Sequence, residues 1–336
     1  MRMRPPAAIE VVVAHRNNVE ALTRLLKALR EQTLPCAVCV VDDASTDETP
    51  DVIPLAFPEV RYERLERNVG FSRANNHGVR SSSADWVVLL NNDTVPEPNF
   101  VAALRDAWES SAADMVAATL RRPDGTIDSA GIEVDRSLVA FDLLHGRAYD
   151  PETIATLRPL APCAGAGAYR RARLLEVGGF DEAMFAYLED VELGIRLRMA
   201  GASCTVAPDT FVWHEHSAFW GSGSARKNER MGHSRGYLVW KYRRDLSPAE
   251  RLRGHVIDAV VYGGQVAIDR NAGAVRGRAR SAAQHARLQP PPRHEGFVLV
   301  PRQSMSVSAA LRRRLGRRTM PWTSRSSSPR ATVASA

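Results

Sequence analysis

Residues 85–93, DWVVLLNND, run from an aspartate through five apolar residues to two asparagines and a second aspartate. A short apolar run bounded by polar residues reads as a strand buried on both faces. Such strands belong to sheets covered by helices on either side. The polar tip is the informative part. In an open α/β sheet, ligands bind beyond the carboxyl ends of the strands. Asp93 therefore stands where a ligand contact is expected. On the residues alone it is a metal ligand, a turn cap before Pro96, or neither.

The flanking segments repeat the pattern. IEVVVAH (9–15) reads as a first strand, followed by NNVEALTRLLKALREQ (17–32), in which Leu22, Leu25, Leu26 and Leu29 recur at helical spacing behind an Asn18 cap. AVCVVDD (37–43) is a second strand. STDETPDVIPLAF (45–57) is a short helix with Ser45 or Thr46 as its cap, VRYERLE (60–66) a third strand and FSRANNHGVRSS (71–82) a helix. Alternating strands and helices predict an α/β fold with a mostly parallel central sheet. In that sheet the tips His15-Arg16-Asn17, Asp42-Asp43 and Asn91-Asn92-Asp93 share one crevice.

Further along, a helix is expected from about Glu97 to Trp108, a strand in DMVAATL (114–120) and a hairpin at Asp124-Gly125. APCAGAGAYRRARLLEVGGFDEAMF (161–185) gives a small-residue strand, a short helix and a Gly-Gly turn. YLEDVELGIRLRMAGA (187–202) is a helix that starts on Glu189 and Asp190 and ends at Gly201. SCTVAPDTFVWHEHS (203–217) leads to His214 and His216, which share a side if the strand continues.

Composition bounds the class. The chain has 336 residues, 44% of them hydrophobic, enough for one large or two modest cores. No run reaches the ~18 apolar residues of a membrane span, and MRMRPPAAIE lacks the apolar region of a signal peptide. The expectation is a cytoplasmic protein. Cys36 and Cys39 form a CxxC, but it lies in strand-like sequence with no second pair to complete a zinc site.

The charge is unevenly placed. Residues 247–336 hold 16 Arg, no Lys and 4 acids, a balance of +12, so residues 1–246 carry −5 of the net +7. Helical stretches are expected at about 248–269 and 272–287, then QPPPRHEG (289–296) breaks the pattern. The division expected is a globular α/β domain over 1–246, a basic helical extension over 247–288 and a disordered Arg/Ser/Pro-rich tail over 289–336. Such a tail suits an anionic membrane surface. It lacks the interleaved aromatics used for single-stranded nucleic acid, so no nucleic-acid partner is expected.

Each candidate site residue has a plainer alternative. One of Asp42 and Asp43 can cap a turn while the other, Asp43, accepts hydrogen bonds from a nucleotide. Glu189 and Asp190 complement a helix dipole, or one of them is a general base. His214 is a core histidine or a metal ligand. SRANNHG (72–78) is a polar helix start, or its amides and guanidinium hold a base.

As a set, VVVAHRNNVEALTRLLKAL, VVDDASTDET, NVGFSRANNHG, WVVLLNNDT, VGGFDEAMFAYLEDVELGIRLRMAG and VWHEHSAFWG resemble the family 2 glycosyltransferases, especially the rhamnosyltransferase-like branch, in the family's order over about residues 9–245. The resemblance implies a GT-A fold, a Rossmann-like α/β domain that binds a nucleotide-sugar. It implies that Asp43 contacts the nucleotide base, with Arg73 or Asn75 nearby. Asp93 falls on the last acid of the family's DxD motif and His214 on the later histidine that completes a site for Mn²⁺ or Mg²⁺; His216 is the second choice. Asp190 falls on the catalytic base, with Glu189 and Asn92 beside the reacting sugars. Two departures stand out: Asn91 occupies the first DxD position, and Arg16 replaces the usual aromatic after the first strand.

The implied reaction is an inverting sugar transfer, dTDP-rhamnose being the favoured donor, to a saccharide or lipid-linked acceptor in cell-envelope synthesis. The implied location is cytoplasmic, on the inner face of the plasma membrane. A nucleotidyltransferase would need a Gly-rich phosphate loop that VVVAHRNN does not supply. The other rival is a catalytically degenerate GT-A protein docked by its basic tail.

Overall fold

The computed structural model describes residues 8–214 and 224–315. The first half alternates as the periodicity requires: β1 (Ile9–His15), α1 (Val19–Arg30), β2 (Ala37–Asp42), α2 (Thr49–Ala56), β3 (Arg61–Arg64), α3 (Phe71–Ser81), β4 (Trp86–Leu90), β5 (Thr94–Pro96) and α4 (Phe100–Ser111). β6 (Met115–Arg121), β7 (Ile127–Ser129), β8 (Ile132–Asp135), β9 (Ala140–Asp142) and α5 (Pro151–Ala155) follow. Then come β10 (Ala166–Arg170), α6 (Arg171–Glu176), α7 (Glu189–Met199) and β11 (Cys204–His214). The C-terminal part holds α8 (Ala225–Lys241), α9 (Pro248–Ile268), α10 (Gly273–His285), a 3-10 turn (Glu295–Leu299), β12 (Arg302–Gln303) and α11 (Val307–Leu315).

Side-chain alternation along β1 sorts the core into two layers. Val11 and Val13 pack with Leu22, Leu25, Leu26 and Leu29 of α1 and with Leu104 of α4. Val12 faces the other way, toward Ala74 and Val79 of α3 and Leu193 of α7. This is the period of a strand meeting the period of a helix on each face. α3 lies very close to the sheet: a Cβ on Gly78 would sit 2.4 Å from Val12 Cγ1.

The main sheet runs β3-β2-β1-β4-β10-β6-β11-β5, with β7 paired to β6. The first four strands are parallel, as expected. The rest is mixed: β10 is antiparallel to both β4 and β6, and β5 to β11. The α/β alternation stops at β6, which turns into the hairpin strand β7 instead of a crossover helix. β10 arrives after that excursion and slots between β4 and β6.

The order also requires a curled sheet. β5 follows β4 after three residues yet pairs at the far edge. Four strand steps span roughly 19 Å in a flat sheet, while the four residues from Leu90 to Thr94 reach at most roughly 14 Å. The far edge therefore folds back over the tip of β4. Because His214 pairs with Thr94, the curl delivers His214 next to Asp93.

Two local expectations change. The α2 N-cap position is Glu48, without a side-chain cap, and not Ser45 or Thr46; Asp47 just before it accepts from Thr49 N at 3.2 Å. The Ser45 hydroxyl instead accepts from Asn17 N and Thr46 N donates to Asn17 Oδ1, both at 2.8 Å, which ties the β2 tip to the β1 tip. The helix expected from Glu97 begins at Phe100, because Glu97 is still held by Phe211 O beside the β11 edge.

The C-terminal expectations need a larger correction. The helices near 248–269 and 272–287 form as α9 and α10, and Ser247 and Glu250 make a reciprocal capping box. The disorder expected from 289 does not hold through residue 315. Phe297 and Val300 are buried, Phe297 stacks on Tyr242, and β12 pairs with β8 in a second sheet of order β12-β8-β9. Several arginines of the region are matched to acids, including two of β8: Arg253 pairs with Asp135 at 2.7 Å and Arg313 with Glu133. Residues 316–336 lie outside the described residues.

Candidate active site

Three strand tips meet as the topology requires. Asp43 N donates to His15 O at 2.7 Å, and Arg16 Nη1 donates to the carbonyls of Asp43 and Ala44 at 2.6 and 2.7 Å. Arg16 thus braces the β2 tip from β1. His15 Nδ1 accepts from Asn92 Nδ2 at 2.9 Å, so its Nε2–H faces Thr49 Oγ1 at 3.0 Å. Burial pushes the His15 pKa down to about 4, which keeps the ring neutral and this arrangement intact. Asn92 is thereby fixed to the floor between β1 and β4.

Asp42 and Asp43 divide their work. Asp42 is buried and accepts from Tyr62 Oη at 2.6 Å and Ser45 N at 2.9 Å. It is the structural member of the pair. Asp43 accepts from Val69 N at 2.6 Å and Gly70 N at 2.9 Å, one amide on each oxygen. A carboxylate has about four acceptor positions, so each oxygen keeps capacity for a ligand. Arg73 is half-exposed and ion-paired to Glu182 at 3.0 Å. Asn75 is buried, and its amide donates back to Phe71 O within α3. Its neighbour Asn76 does more than the sequence suggested: it clasps Phe180 N and O at 2.7 and 2.9 Å, locking α3 onto the GGFDE turn.

At the β4 tip, Asp93 Oδ1 lies 3.6 Å from His214 Nε2. The opposite nitrogen of that ring, Nδ1, is 2.9 Å from Asp128 Oδ2. Asp128 is itself held by Arg122 Nε and Nη2, both at 3.1 Å, and His145 Nδ1 hydrogen-bonds the Asp128 carbonyl at 2.7 Å. Burial works against a charge on His214, yet the Asp128 hydrogen bond and the charges of Asp93 and Asp128 outweigh it and raise its pKa. The site favours positive charge. Asp128, Arg122 and His145 are absent from the sequence expectations, which saw only a hairpin there. His216 lies outside the described residues.

These residues fit a divalent cation. Among the described residues no three acids, histidines or cysteines form a ready-made cluster. The Asp93–His214 pair instead offers one carboxylate and one imidazole, with the far imidazole nitrogen oriented by a carboxylate as metal-bound histidines usually are. That leaves positions for phosphate oxygens.

The start of α7 carries the acids. Tyr187 and Leu188 both take left-handed backbone, at φ 69 and 62. Non-glycine residues there store strain of order 1–3 kcal/mol each, and such strain gathers at functional sites. Asp190 Oδ2 accepts from Ala164 N at 3.1 Å and Oδ1 from Val191 N at 2.8 Å. Ala164 precedes Gly165, whose carbonyl accepts from Asn91 N at 3.1 Å. Asp190 and the β4 tip are thus joined through two adjacent residues. Glu189 is buried, and its Oε2 has no hydrogen-bond partner among the described residues. Burial, reinforced by their neighbouring negative charges, raises the pKa of both Glu189 and Asp190. Glu192, one turn on, is purely structural: it binds Arg196, Lys241 and Tyr242.

Comparisons with known proteins give the family and the fold. Residues 10–154 match the model "Glycosyl transferase family 2", and residues 86–244 match "Glycosyl transferase family group 2". An N-acetylglucosaminyl-diphospho-decaprenol L-rhamnosyltransferase of Mycobacterium tuberculosis is 31% identical over 222 residues, which are 57% of this chain and 71% of that one. This chain belongs to glycosyltransferase family 2. It is a glycosyltransferase, and its resemblance is to the rhamnosyltransferase-like branch. A pre-mycofactocin glycosyltransferase of the same organism is 28% identical, over 63% of this chain and 45% of that one.

Two solved structures give the fold. GalNAc-T7 with UDP, GalNAc and Mn²⁺ superposes with a TM-score of 0.58 at 16% identity, covering 87% of this chain and 60% of that one. The mannosyltransferase PcManGT from Pyrobaculum calidifontis, with GDP-Man and Mn²⁺, gives 0.53 at 19% identity, covering 91% and 80%. The family 2 transferase described here therefore has the GT-A fold expected from its motifs.

Proposed function

We propose that this family 2 transferase moves a sugar, with inversion, from a nucleotide-sugar to a hydroxyl of a lipid-linked saccharide in cell-envelope synthesis. dTDP-rhamnose is the favoured donor, because the 31%-identical relative is named a rhamnosyltransferase acting on a decaprenol-linked sugar. The observation that carries the reading is the approach of Asp93 to His214 with Asp128 behind the ring.

In this reading Asp43 accepts from the base, with Arg73 beside it and Asn75 bracing Phe71 at the start of α3. Asp93 and His214 would hold Mn²⁺ or Mg²⁺. A cation there supplies charge to offset the departing nucleoside diphosphate. Asp190, its pKa raised by burial, takes the proton of the acceptor hydroxyl. The acceptor oxygen then attacks the anomeric carbon from the face opposite the diphosphate, so the configuration inverts. Glu189 and Asn92 line the sugar-binding space. The enzyme works at the cytoplasmic face of the membrane, where its acceptor is anchored.

The test is a panel of nucleotide-sugars with Mn²⁺ or Mg²⁺, followed by release of nucleoside diphosphate. Slow hydrolysis of dTDP-rhamnose, abolished by EDTA and by Asp190→Asn, is expected. Preferred turnover of a UDP- or GDP-sugar would overturn the donor assignment.

A further inference from the structure

α9 is apolar on two sides, and only one is covered. Ile257 and Val261 pack against Val139, just before β9, Phe141 of β9 and Ala310 of α11. On the opposite side Leu252, Val256, Val260 and Val266 are 66%, 45%, 42% and 43% exposed. Their spacing puts them on one stripe of the helix, continued by Ala259 and Gly263. A contiguous exposed apolar stripe marks an interaction surface more often than a lone exposed leucine does.

The stripe begins beside a basic cleft. Arg243, Arg244, Arg251 and Arg293 line an open groove of about 580 Å³ with Leu246, Pro248 and Pro290. Pro248, part of the groove lining, stands one turn before Leu252 on the same face of α9, so groove and stripe adjoin. None of the four guanidinium groups is ion-paired among the described residues, whereas most arginines around them are. The nearby acids are already engaged: Asp245 with His294 at 2.7 Å, and Glu250 with Ser247 and with Arg302 at 3.2 Å.

We infer that the arginine groove and the outer stripe of α9 together form a docking surface for an anionic lipid bilayer. The apolar side chains enter the acyl boundary while the arginines meet lipid phosphates, the pattern of a helix that lies on a membrane. Among the described residues no helix is long and apolar enough to cross one. A second copy of the chain is the poorer occupant. A two-fold contact repeats the same patch on both sides, and one centred on the groove would bring unneutralised arginines together; like charges facing each other disfavour an interface. The surface agrees with the membrane-borne acceptor proposed above but rests on its own residues.

The experiment is flotation of the full chain with phosphatidylcholine vesicles, with and without phosphatidylglycerol. Binding is expected only to the anionic vesicles and should weaken as salt rises. Each of Arg243→Ser and Arg244→Ser should lower partitioning by a factor of roughly 5. Leu252→Glu with Val256→Glu should abolish it while leaving residues 316–336 intact. Release of nucleoside diphosphate from a soluble donor should stay at the wild-type rate in all of them, so loss of docking and failure of the proposed chemistry are told apart. Equal binding to neutral vesicles, or variants that float like wild type, would overturn the inference. So would a dimer in sedimentation velocity that Leu252→Glu breaks in the absence of vesicle binding.

Discussion

Asp128 stands behind His214: its Oδ2 is 2.9 Å from the ring's Nδ1, while the ring's Nε2 faces Asp93 at 3.6 Å. The hydrogen bond fixes which nitrogen is available to a cation and how the ring is turned. Three elements meet there, the tip of β4, the end of β11 and the strand after the Asp124-Gly125 hairpin, and the curl of the sheet brings them together.

Asp128→Asn should separate orientation from ligation. The amide keeps the shape but removes the negative charge that aligns the ring. Loss of such a partner typically lowers metal affinity by roughly 10- to 100-fold. Titration of Mn²⁺ binding by calorimetry should show that weakening. Asp93→Ala should remove binding altogether. Unchanged Mn²⁺ affinity in Asp128→Asn would mean that the Asp128 charge is not what aligns the ring.

Asp190→Asn is expected to lower turnover by roughly 10²- to 10⁴-fold, the usual contribution of a general base. Donor binding, read by thermal shift with nucleotide-sugar, should survive. The wild-type rate should fall at acid pH with an apparent pKa above the ordinary aspartate range, because burial holds the Asp190 proton on. A rate that stays flat well below neutrality would sink the assignment of this carboxylate as base.

The α/β alternation of the first half was legible because its signals are local. Leu22, Leu25, Leu26 and Leu29 announce α1 by spacing, and the polar tips after β1, β2 and β4 point to one crevice in any parallel sheet. His214, the proposed metal ligand, was legible only as a family position: nothing in VWHEH says that β11 curls back to Asp93. Asp128 was invisible because its role depends on the non-local pairing of β6 with both β7 and β11. The ordering of 295–315 was missed for the same reason. Phe297 and Val300 are two apolar residues in an Arg- and Pro-rich stretch, and their cover, Tyr242, lies more than one helix away in sequence.

Gly78→Ala tests how tightly α3 is seated. Replacing a helical glycine by alanine gains about 1 kcal/mol of propensity. Here the new methyl would sit 2.4 Å from Val12 Cγ1 in a fully buried layer. Overpacking typically costs about 1–3 kcal/mol, so the net effect should be destabilising. Urea unfolding should show a lower midpoint with an unchanged slope. A raised midpoint would mean that α3 can move away from β1 without loss.

Glu189 gives a prediction about pH and stability. Burial raises its pKa in the folded enzyme above the ~4.3 of an exposed glutamate. Between those two values the native state binds more protons than the unfolded one, so stability falls as pH rises through this window. Glu189→Gln removes the titration and leaves a neutral side chain of the same shape. The variant should match wild type near pH 5 and exceed its melting temperature increasingly as pH approaches 8. The Oε2 atom that lacks a partner among the described residues argues in the same direction, since an ionised oxygen there is costly to bury. If the two melting curves instead differ by a constant amount across this range, Glu189 is already ionised in the folded enzyme and its charge is compensated.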